Sequence, residues 1–163
     1  MEPRIDSSTY RSTPLGRAML ALQREVQNSG LEHSLLELVK IRASQINGCA
    51  YCIDMHTKDA RALGETEQRI YALSAWHETP FFSDRERAAL EYAEAVTRVG
   101  ETHVPDDVWT RAQQHFSENE LVSLTFALVT INGWNRLAVA FRIPPGTYQP
   151  QPATAPAQQH VSA

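Results

Sequence analysis

Apolar residues recur at helical spacing along nearly the whole chain, and this period constrains the fold more than any other feature of the sequence. In the first such segment they stand three or four positions apart, at Leu15, Met19, Leu22 and Val26. This spacing places them on one face of an α-helix. No segment combines strict alternation of apolar and polar residues with the turn residues of a hairpin. The sequence therefore predicts an all-α fold.

Capping residues, glycines and prolines set the predicted helix boundaries. The predicted helices cover about 14–29, 32–46, 49–63, 66–76, 83–99 and 105–116, and a last helix begins at 117. Ser83 to Glu86 and Ser117 to Glu120 have the pattern of a capping box. The last helix is apolar nearly all round, so we expect it to be central or buried in an oligomer interface.

Length and composition are those of one domain. With 163 residues, 42% of them apolar, the chain has enough material for a single core. We divide it into a flexible N-terminal segment at 1–13, a helical domain at 14–143 and a tail at 144–163. The tail is rich in Pro, Ala and Gln, and we expect it to be mostly disordered or to lie on a neighbouring molecule.

Charge and hydropathy argue against two classes of partner. The net charge is −4 and the basic residues are spread singly, so the chain has no basic stripe for nucleic acid. No apolar run approaches the ~20 residues that a membrane-spanning helix needs. The N-terminus is polar and lacks the apolar segment of a secretion signal, so we expect a cytoplasmic protein.

The two cysteines of the chain form a Cys49-Ala-Tyr-Cys52 motif, with His56 one helical turn further on. In a helix, Cys49, Cys52 and His56 share one apolar, inward face. His56 is four residues after Cys52 and within reach of its sulfur, so it is a candidate base for that thiol. A dithiol at this spacing in a cytosolic protein favours a redox centre.

Other interpretations of the cysteine pair stay open. A zinc site with two cysteines, His56 and either His33 or Glu37 is one alternative, although the chain has no second Cys-x-x-Cys. Two inert buried cysteines are another. A static disulfide of a secreted protein is disfavoured because the chain starts without a secretion signal.

Polar residues interrupt two of the predicted helices. Glu37 shares a helical stripe with Lys40 and other polar residues, which is typical of a solvated face with a weak surface ion pair. Asn132 and Asn135 interrupt the apolar last helix, and buried amides must be hydrogen-bonded. We expect them to bond a neighbouring helix or loop, and a place beside the cysteines is the alternative.

Four of these residues have the spacing of a known family. Eleven residues separate Glu37 from the Cys49-x-x-Cys52 pair, and three residues separate Cys52 from His56. This arrangement resembles that of the alkylhydroperoxidase D-like branch of the carboxymuconolactone decarboxylase superfamily. The segment 131–136 is similar to the last helix of that family, and the similarity covers about residues 14–143.

The resemblance implies an all-helical homo-oligomer, either a trimer or a hexamer built from dimers. It implies a thiol-dependent peroxidase or disulfide-exchange activity that uses no metal or flavin, with Glu37, Cys49, Cys52 and His56 as the working residues. Related proteins use a lipoyl or thioredoxin-like dithiol as reductant. Tyr51 departs from the family pattern, since the best-known members have a histidine there. True carboxymuconolactone decarboxylases lack the cysteine pair, which argues against their activity here.

The sequence therefore predicts an enzyme that reduces small hydroperoxides. One thiolate attacks the O–O bond, the other cysteine closes a disulfide, and an external dithiol resets the pair. Cys52 is provisionally the attacking residue and Cys49 the resolving one, but the opposite order stays open. Two alternatives remain: a redox-sensing or partner-binding oligomer without peroxidase turnover, and cofactor-free decarboxylase-like chemistry.

Overall fold

Helix caps define the elements of the computed structural model, which describes residues 2–150. Ser83 and Ser117 each cap a helix in the predicted capping box, with Glu86 and Glu120 as the returning partners. The helices are α1 (Ser7–Arg11), α2 (Pro14–Gln27), α3 (His33–Ile46), α4 (Ala50–Ala62), α5 (Glu67–Ala72), α6 (Asp84–Thr97), α7 (Val99–Thr102), α8 (Asp106–Gln113) and α9 (Glu118–Phe141). A 3₁₀ segment, Leu73–Glu78, follows α5. Residues 2–150 contain no strand, and the all-α prediction is confirmed.

The central helix is α3, which packs against α4, α6 and α9. Leu36 on one side of α3, and Leu38 and Ile41 on another, are completely buried. One apolar cluster joins α3 to α2, α6, α8 and α9, and a second joins it to α4, α5, α6 and the 3₁₀ segment. The polar face of α3, with Glu37, Lys40 and Ser44, is buried as well, and α3 packs against α4.

The last helix, α9, is buried on one side only. Its outer side exposes Val122, Phe126 and Val129, each to 50% or more. The expectation of a helix central within one chain is therefore wrong for α9, because α3 occupies that position. The formation of a homo-oligomer through this exposed face stays a prediction.

The N-terminal segment contains structure that the sequence did not indicate. The helix α1 lies against α2, and the backbone N–H of Arg4 donates to the carbonyl of Phe141 at 2.8 Å. Gly16 makes this packing possible, since a Cβ there would lie 2.0 Å from the carbonyl oxygen of Tyr10. Residues 2–13 are thus not uniformly irregular, and α1 is held on the domain.

The predicted tail is described from residue 144 to residue 150, and residues 151–163 lie outside the described part. The backbone N–H of Gly146 donates to the Asp54 carboxylate at 3.0 Å, and Lys58 donates to the carbonyl of Tyr148 at 3.1 Å. Residues 144–150 therefore lie along α4 of the same chain.

Within residues 2–150, none of the helices combines the length and the apolar character that crossing a membrane requires.

Candidate active site

The cysteine pair lies at the turn that joins α3 to α4. Gly48 has a φ of +66°, a left-handed conformation that glycine adopts without steric cost, and it reverses the chain after α3. The backbone N–H of Cys49 then donates to the carbonyl of Ser44 at 3.0 Å. Cys49 is the N-cap of α4 and Cys52 lies in its first turn. Both are free thiols, each 1% exposed, so the fold brings together the two sulfurs that the sequence singled out.

The two thiols have opposite acidities. A hydrogen bond from the Cys52 thiol lowers the pKa of Cys49 to about 7, and this outweighs the effect of burial. The same bond raises the pKa of Cys52 well beyond its ordinary value, and burial acts in the same direction. The pair therefore holds one thiolate and one thiol near neutral pH, with the charge mainly on Cys49.

Glu37 orients His56. The Nδ1 atom of His56 lies 2.6 Å from Glu37 Oε2, and the Lys40 ammonium donates to Glu37 Oε1 at 2.8 Å. Glu37 is 3% exposed, Lys40 6% and His56 6%, so the solvated-face interpretation of the Glu37 stripe is wrong. Burial alone would raise the pKa of Glu37, but His56 and Lys40 outweigh it and lower the pKa to about 2. Glu37 is thus a permanent carboxylate that fixes one ring nitrogen of His56.

A cavity of about 440 Å³ gives access to this group. Its wall includes Cys52, Met55, His56 and Trp134, whereas Cys49 does not belong to the wall. Cys52 is therefore the member of the pair that borders the cavity, whereas Cys49 is the cysteine with the lower pKa.

Asp59 and Tyr148 close one side of the cavity. The Tyr148 hydroxyl donates to Asp59 Oδ1 at 2.7 Å. Burial raises the pKa of Asp59, and the nearby Glu37 carboxylate adds to the effect. Tyr148 belongs to the segment predicted as a tail, so sequence reasoning missed it, and no periodic pattern marks its position.

The possible metal ligands of the site already have protein partners, since Glu37 holds His56 and Asp59 accepts from Tyr148. Glu37, His56 and Asp59 have one ligand atom each within 4.8 Å of one another. The Lys40 ammonium, however, already supplies a positive charge to Glu37. His33, the other residue considered for zinc, has its Nε2 atom 3.1 Å from the carbonyl of Gln27 instead. The arrangement fits a neutralised ion-pair cluster better than a vacant cation site.

Asn135 links α9 to the cysteines. It is 1% exposed, its amide donates to Ser44 Oγ at 3.0 Å, and its carbonyl accepts from Asn47 at 2.8 Å. The amide of Asn135 also lowers the pKa of Cys49, after the larger effect of Cys52. Both expectations for this residue hold, since it bonds α3 and lies beside the cysteine pair. Asn132 accepts from Asn47 at 2.9 Å and supports the same network.

Comparison with known proteins agrees with this architecture. A model of the carboxymuconolactone decarboxylase family matches residues 14–95. The uncharacterized protein YdfG of Bacillus subtilis is 46% identical over 134 residues, which are 82% of this chain and 91% of YdfG. The alkyl hydroperoxide reductase AhpD of Hyphomonas neptunium is 32% identical over 68 residues, 42% of this chain and 36% of that protein.

A solved structure from Agrobacterium tumefaciens, of a protein of unknown function labelled AhpD, superimposes with a TM-score of 0.86. It is 44% identical to this chain, and the match covers 90% of this chain and 100% of that one. The fold and the sequence matches lead to the same conclusion: this chain belongs to the carboxymuconolactone decarboxylase family, among its alkylhydroperoxidase D-like members.

Proposed function

We propose that the protein is a thiol-dependent peroxidase that reduces small organic hydroperoxides through Cys49 and Cys52. The observation that carries the proposal is the buried, hydrogen-bonded dithiol with one pKa near 7, beside a cavity whose wall includes Cys52. A thiolate is the reactive form of cysteine toward peroxide. The relatives labelled AhpD support an oxidoreductase of this kind.

Cys52 is the residue that attacks in our proposal, because it is the member of the pair that lines the cavity. The Cys49 thiolate accepts the Cys52 proton across their hydrogen bond as the Cys52 sulfur attacks the terminal oxygen of the peroxide. The O–O bond breaks, Cys52 becomes a sulfenic acid, and the alkoxide leaves and takes a proton to become an alcohol. Cys52 is oxidised by two electrons and the peroxide is reduced by two.

Cys49 resolves the sulfenic acid. Its sulfur attacks that of Cys52, the S–O bond breaks, and the Cys49 proton leaves with the hydroxyl group as water. A dithiol reductant then attacks the disulfide, is itself oxidised to a disulfide, and returns both cysteines to the thiol state. A lipoyl or thioredoxin-like dithiol is the reductant class that we propose.

His56 and Asp59 are the groups that move protons in this scheme. Glu37 holds the Nδ1 atom of His56, which leaves Nε2 as the ring nitrogen for exchange with the reacting groups. Asp59 has a raised pKa and lies in the same cavity wall, so it is a second proton source for the departing alkoxide.

Peroxide consumption in the presence of dihydrolipoamide tests the proposal. The wild type should turn over, and the double variant Cys49→Ser/Cys52→Ser should not. Oxidation of the wild type once per chain, without turnover with any dithiol, would indicate the redox sensor instead. Catalysis on a lactone acid that survives in the double variant would indicate decarboxylase-like chemistry.

The single variants test the order of the two cysteines. Cys49→Ser should react more slowly, because the thiolate that takes the Cys52 proton is missing, but it should accumulate a sulfenic acid on Cys52 that dimedone traps, because the resolving thiol is missing as well. Cys52→Ser should trap none. Trapping in Cys52→Ser alone would assign the attack to Cys49, as the direction of the pKa values favours.

A further inference from the structure

Two hydrogen-bond donors in the cavity wall lack an acceptor. The Nε atom of Arg11 and the Nε1 atom of Trp134 are both buried, and no group within residues 2–150 accepts from either. Native proteins rarely leave buried donors unpaired, because the lost hydrogen bond costs free energy. Both residues line the cavity, and a turn of either side chain toward it would let a bound ligand supply the acceptor.

The two donors are close to each other and to the dithiol. The guanidinium carbon of Arg11 lies 6.0 Å from the centre of the Trp134 ring, and Nη2 of Arg11 donates to the Tyr51 hydroxyl at 3.5 Å. Arg11, Tyr51 and Trp134 all line the cavity that contains Cys52. Arg11 is partly exposed.

The charge of Arg11 is not balanced by an acid. The other charges of the cavity wall are Lys40, which pairs with Glu37, Asp59, which accepts from Tyr148, and Arg24 at the rim. In the described part of the chain, neither arginine forms an ion pair with a carboxylate. One side of the cavity therefore has unpaired positive charge, and guanidinium groups prefer carboxylates as bidentate partners.

The fold fixes Arg11 in this place. Tyr10 packs on Trp134 and Phe141, with ring centres 6.4 and 5.4 Å apart. The close approach of α1 at Gly16 holds the same helix on α2. Arg11 is thus on a docked helix and not on a free terminus.

We propose that Arg11, Trp134 and Tyr51 form a carboxylate-binding subsite, which selects organic acids and directs their other end toward Cys52. The identity of the molecule that carries the carboxylate rests on the proposed function: it is either the hydroperoxide or the dithiol reductant. The subsite itself requires no peroxidase turnover.

Alkylation of the reduced protein by iodoacetate and by iodoacetamide tests the subsite without peroxide. In both reactions the thiolate sulfur displaces iodide, but only iodoacetate carries a carboxylate. Both rates are proportional to the fraction of thiolate present, so this fraction drops out of their ratio. The ratio therefore reports the preference for the carboxylate. In wild type the ratio should exceed that of glutathione by about tenfold or more, the usual effect of a charged hydrogen bond.

Arg11→Gln should reduce the ratio to that of glutathione, and Arg11→Lys should retain part of it because the charge remains but the planar fork is lost. Trp134→Phe should reduce it by a smaller factor. Arg17→Gln is the matched control, since Arg17 is exposed, donates to the carbonyl of Ser12 and does not line the cavity. A ratio that is equal in wild type, Arg11→Gln and Arg17→Gln would overturn the subsite.

Matched substrates then identify the carrier of the carboxylate. Linoleic acid hydroperoxide against its methyl ester tests the oxidant, and dihydrolipoate against dihydrolipoamide tests the reductant. The acid should have the higher kcat/KM in one pair, and Arg11→Gln should abolish that preference, whereas Arg17→Gln should retain it. No preference in either pair, in a protein that turns over, would overturn the role of the subsite in substrate selection. A protein without turnover that keeps the alkylation preference would refute the proposed function and leave the subsite in place.

Discussion

Replacement of Glu37 by glutamine tests whether the ion-pair cluster behind the cavity is a buried structural unit. Glutamine keeps the shape of the side chain but removes its charge. Glu37 accepts from Lys40 at 2.8 Å, and both side chains are less than 10% exposed. The variant therefore leaves a buried ammonium group opposite a neutral amide, with Gln27 as its other polar partner at 3.3 Å.

The expected loss of stability is large for a single substitution. Removal of one member of a buried ion pair costs about 3–5 kcal/mol, because the other charge remains without compensation. A change of 1 kcal/mol shifts the Tm of a domain of this size by about 2–4 °C, so Glu37→Gln should lower Tm by about 6–20 °C at pH 7. A solvated pair on a helix surface would contribute only a few tenths of a kcal/mol.

The pH dependence has a definite sign. The pKa of Glu37 is lowered from 4.5 to about 2, so its ionised form stabilises the folded state above pH 4.5. That contribution is lost as the pH falls from 4.5 toward about 2. The difference in Tm between wild type and Glu37→Gln should therefore be constant at neutral pH and shrink across this acid range.

Thermal unfolding followed by circular dichroism measures both effects. Asp107→Asn is the control, because Asp107 pairs with Arg111 at the same 2.8 Å but on the surface. A second variant, Lys40→Met in the Glu37→Gln background, removes the uncompensated charge and should recover part of the lost stability. If Glu37→Gln lowers Tm no more than Asp107→Asn does, the cluster is solvated and the reasoning from its burial fails.

Three further predictions concern the reactivity of the dithiol. His56→Ala should slow peroxide reduction by about 10²–10⁴. The double variant His56→Ala/Glu37→Gln should be little slower still, because the two residues act as a unit. Wild-type rates in the single and the double variant would refute the role of His56 in proton transfer. The ultraviolet absorbance of the thiolate should rise with a midpoint at about pH 7 for one equivalent per chain, and two equivalents that titrate together near pH 9 would contradict the shared hydrogen bond. Asn135→Ala should raise that midpoint, since the amide stabilises the Cys49 thiolate, whereas an unchanged midpoint would limit Asn135 to its bonds with α3.

The longer helices could be predicted because their signals are local. Apolar period and capping residues depend on neighbours within one or two turns, and the capping boxes at Ser83 and Ser117 appear where the pattern indicated. The sequence also located both cysteines, Glu37 and His56. The cysteines and His56 followed from their spacing on one helical face, whereas Glu37 needed the spacing of a family, since the polar stripe of α3 by itself favoured a solvated face.

The surroundings of the site could not be predicted, because they come from distant segments. A helical period identifies which residues share a face but not what covers that face. The stripe with Glu37 is covered by α4, which follows in sequence, but also by Tyr148, and the same cavity wall takes Arg11 from the opposite end of the chain. Both lie in segments without periodic pattern, where composition indicated only flexibility.

The arrangement of α3 explains how a site with several buried charges remains compatible with a stable core. Glu37 stands between Leu36 and Leu38, which are both fully buried and belong to the two separate apolar clusters. A step of about 100° per residue turns these three side chains in three directions, so the carboxylate faces α4 while its neighbours anchor the helix on both sides. Buried ion pairs are commonly less stabilising than apolar residues of similar volume, so packing alone does not explain the cluster of Glu37, Lys40 and His56. The cores on either side of α3 hold Glu37 rigidly against His56, and a rigid carboxylate is what a histidine that exchanges protons with a reacting group requires.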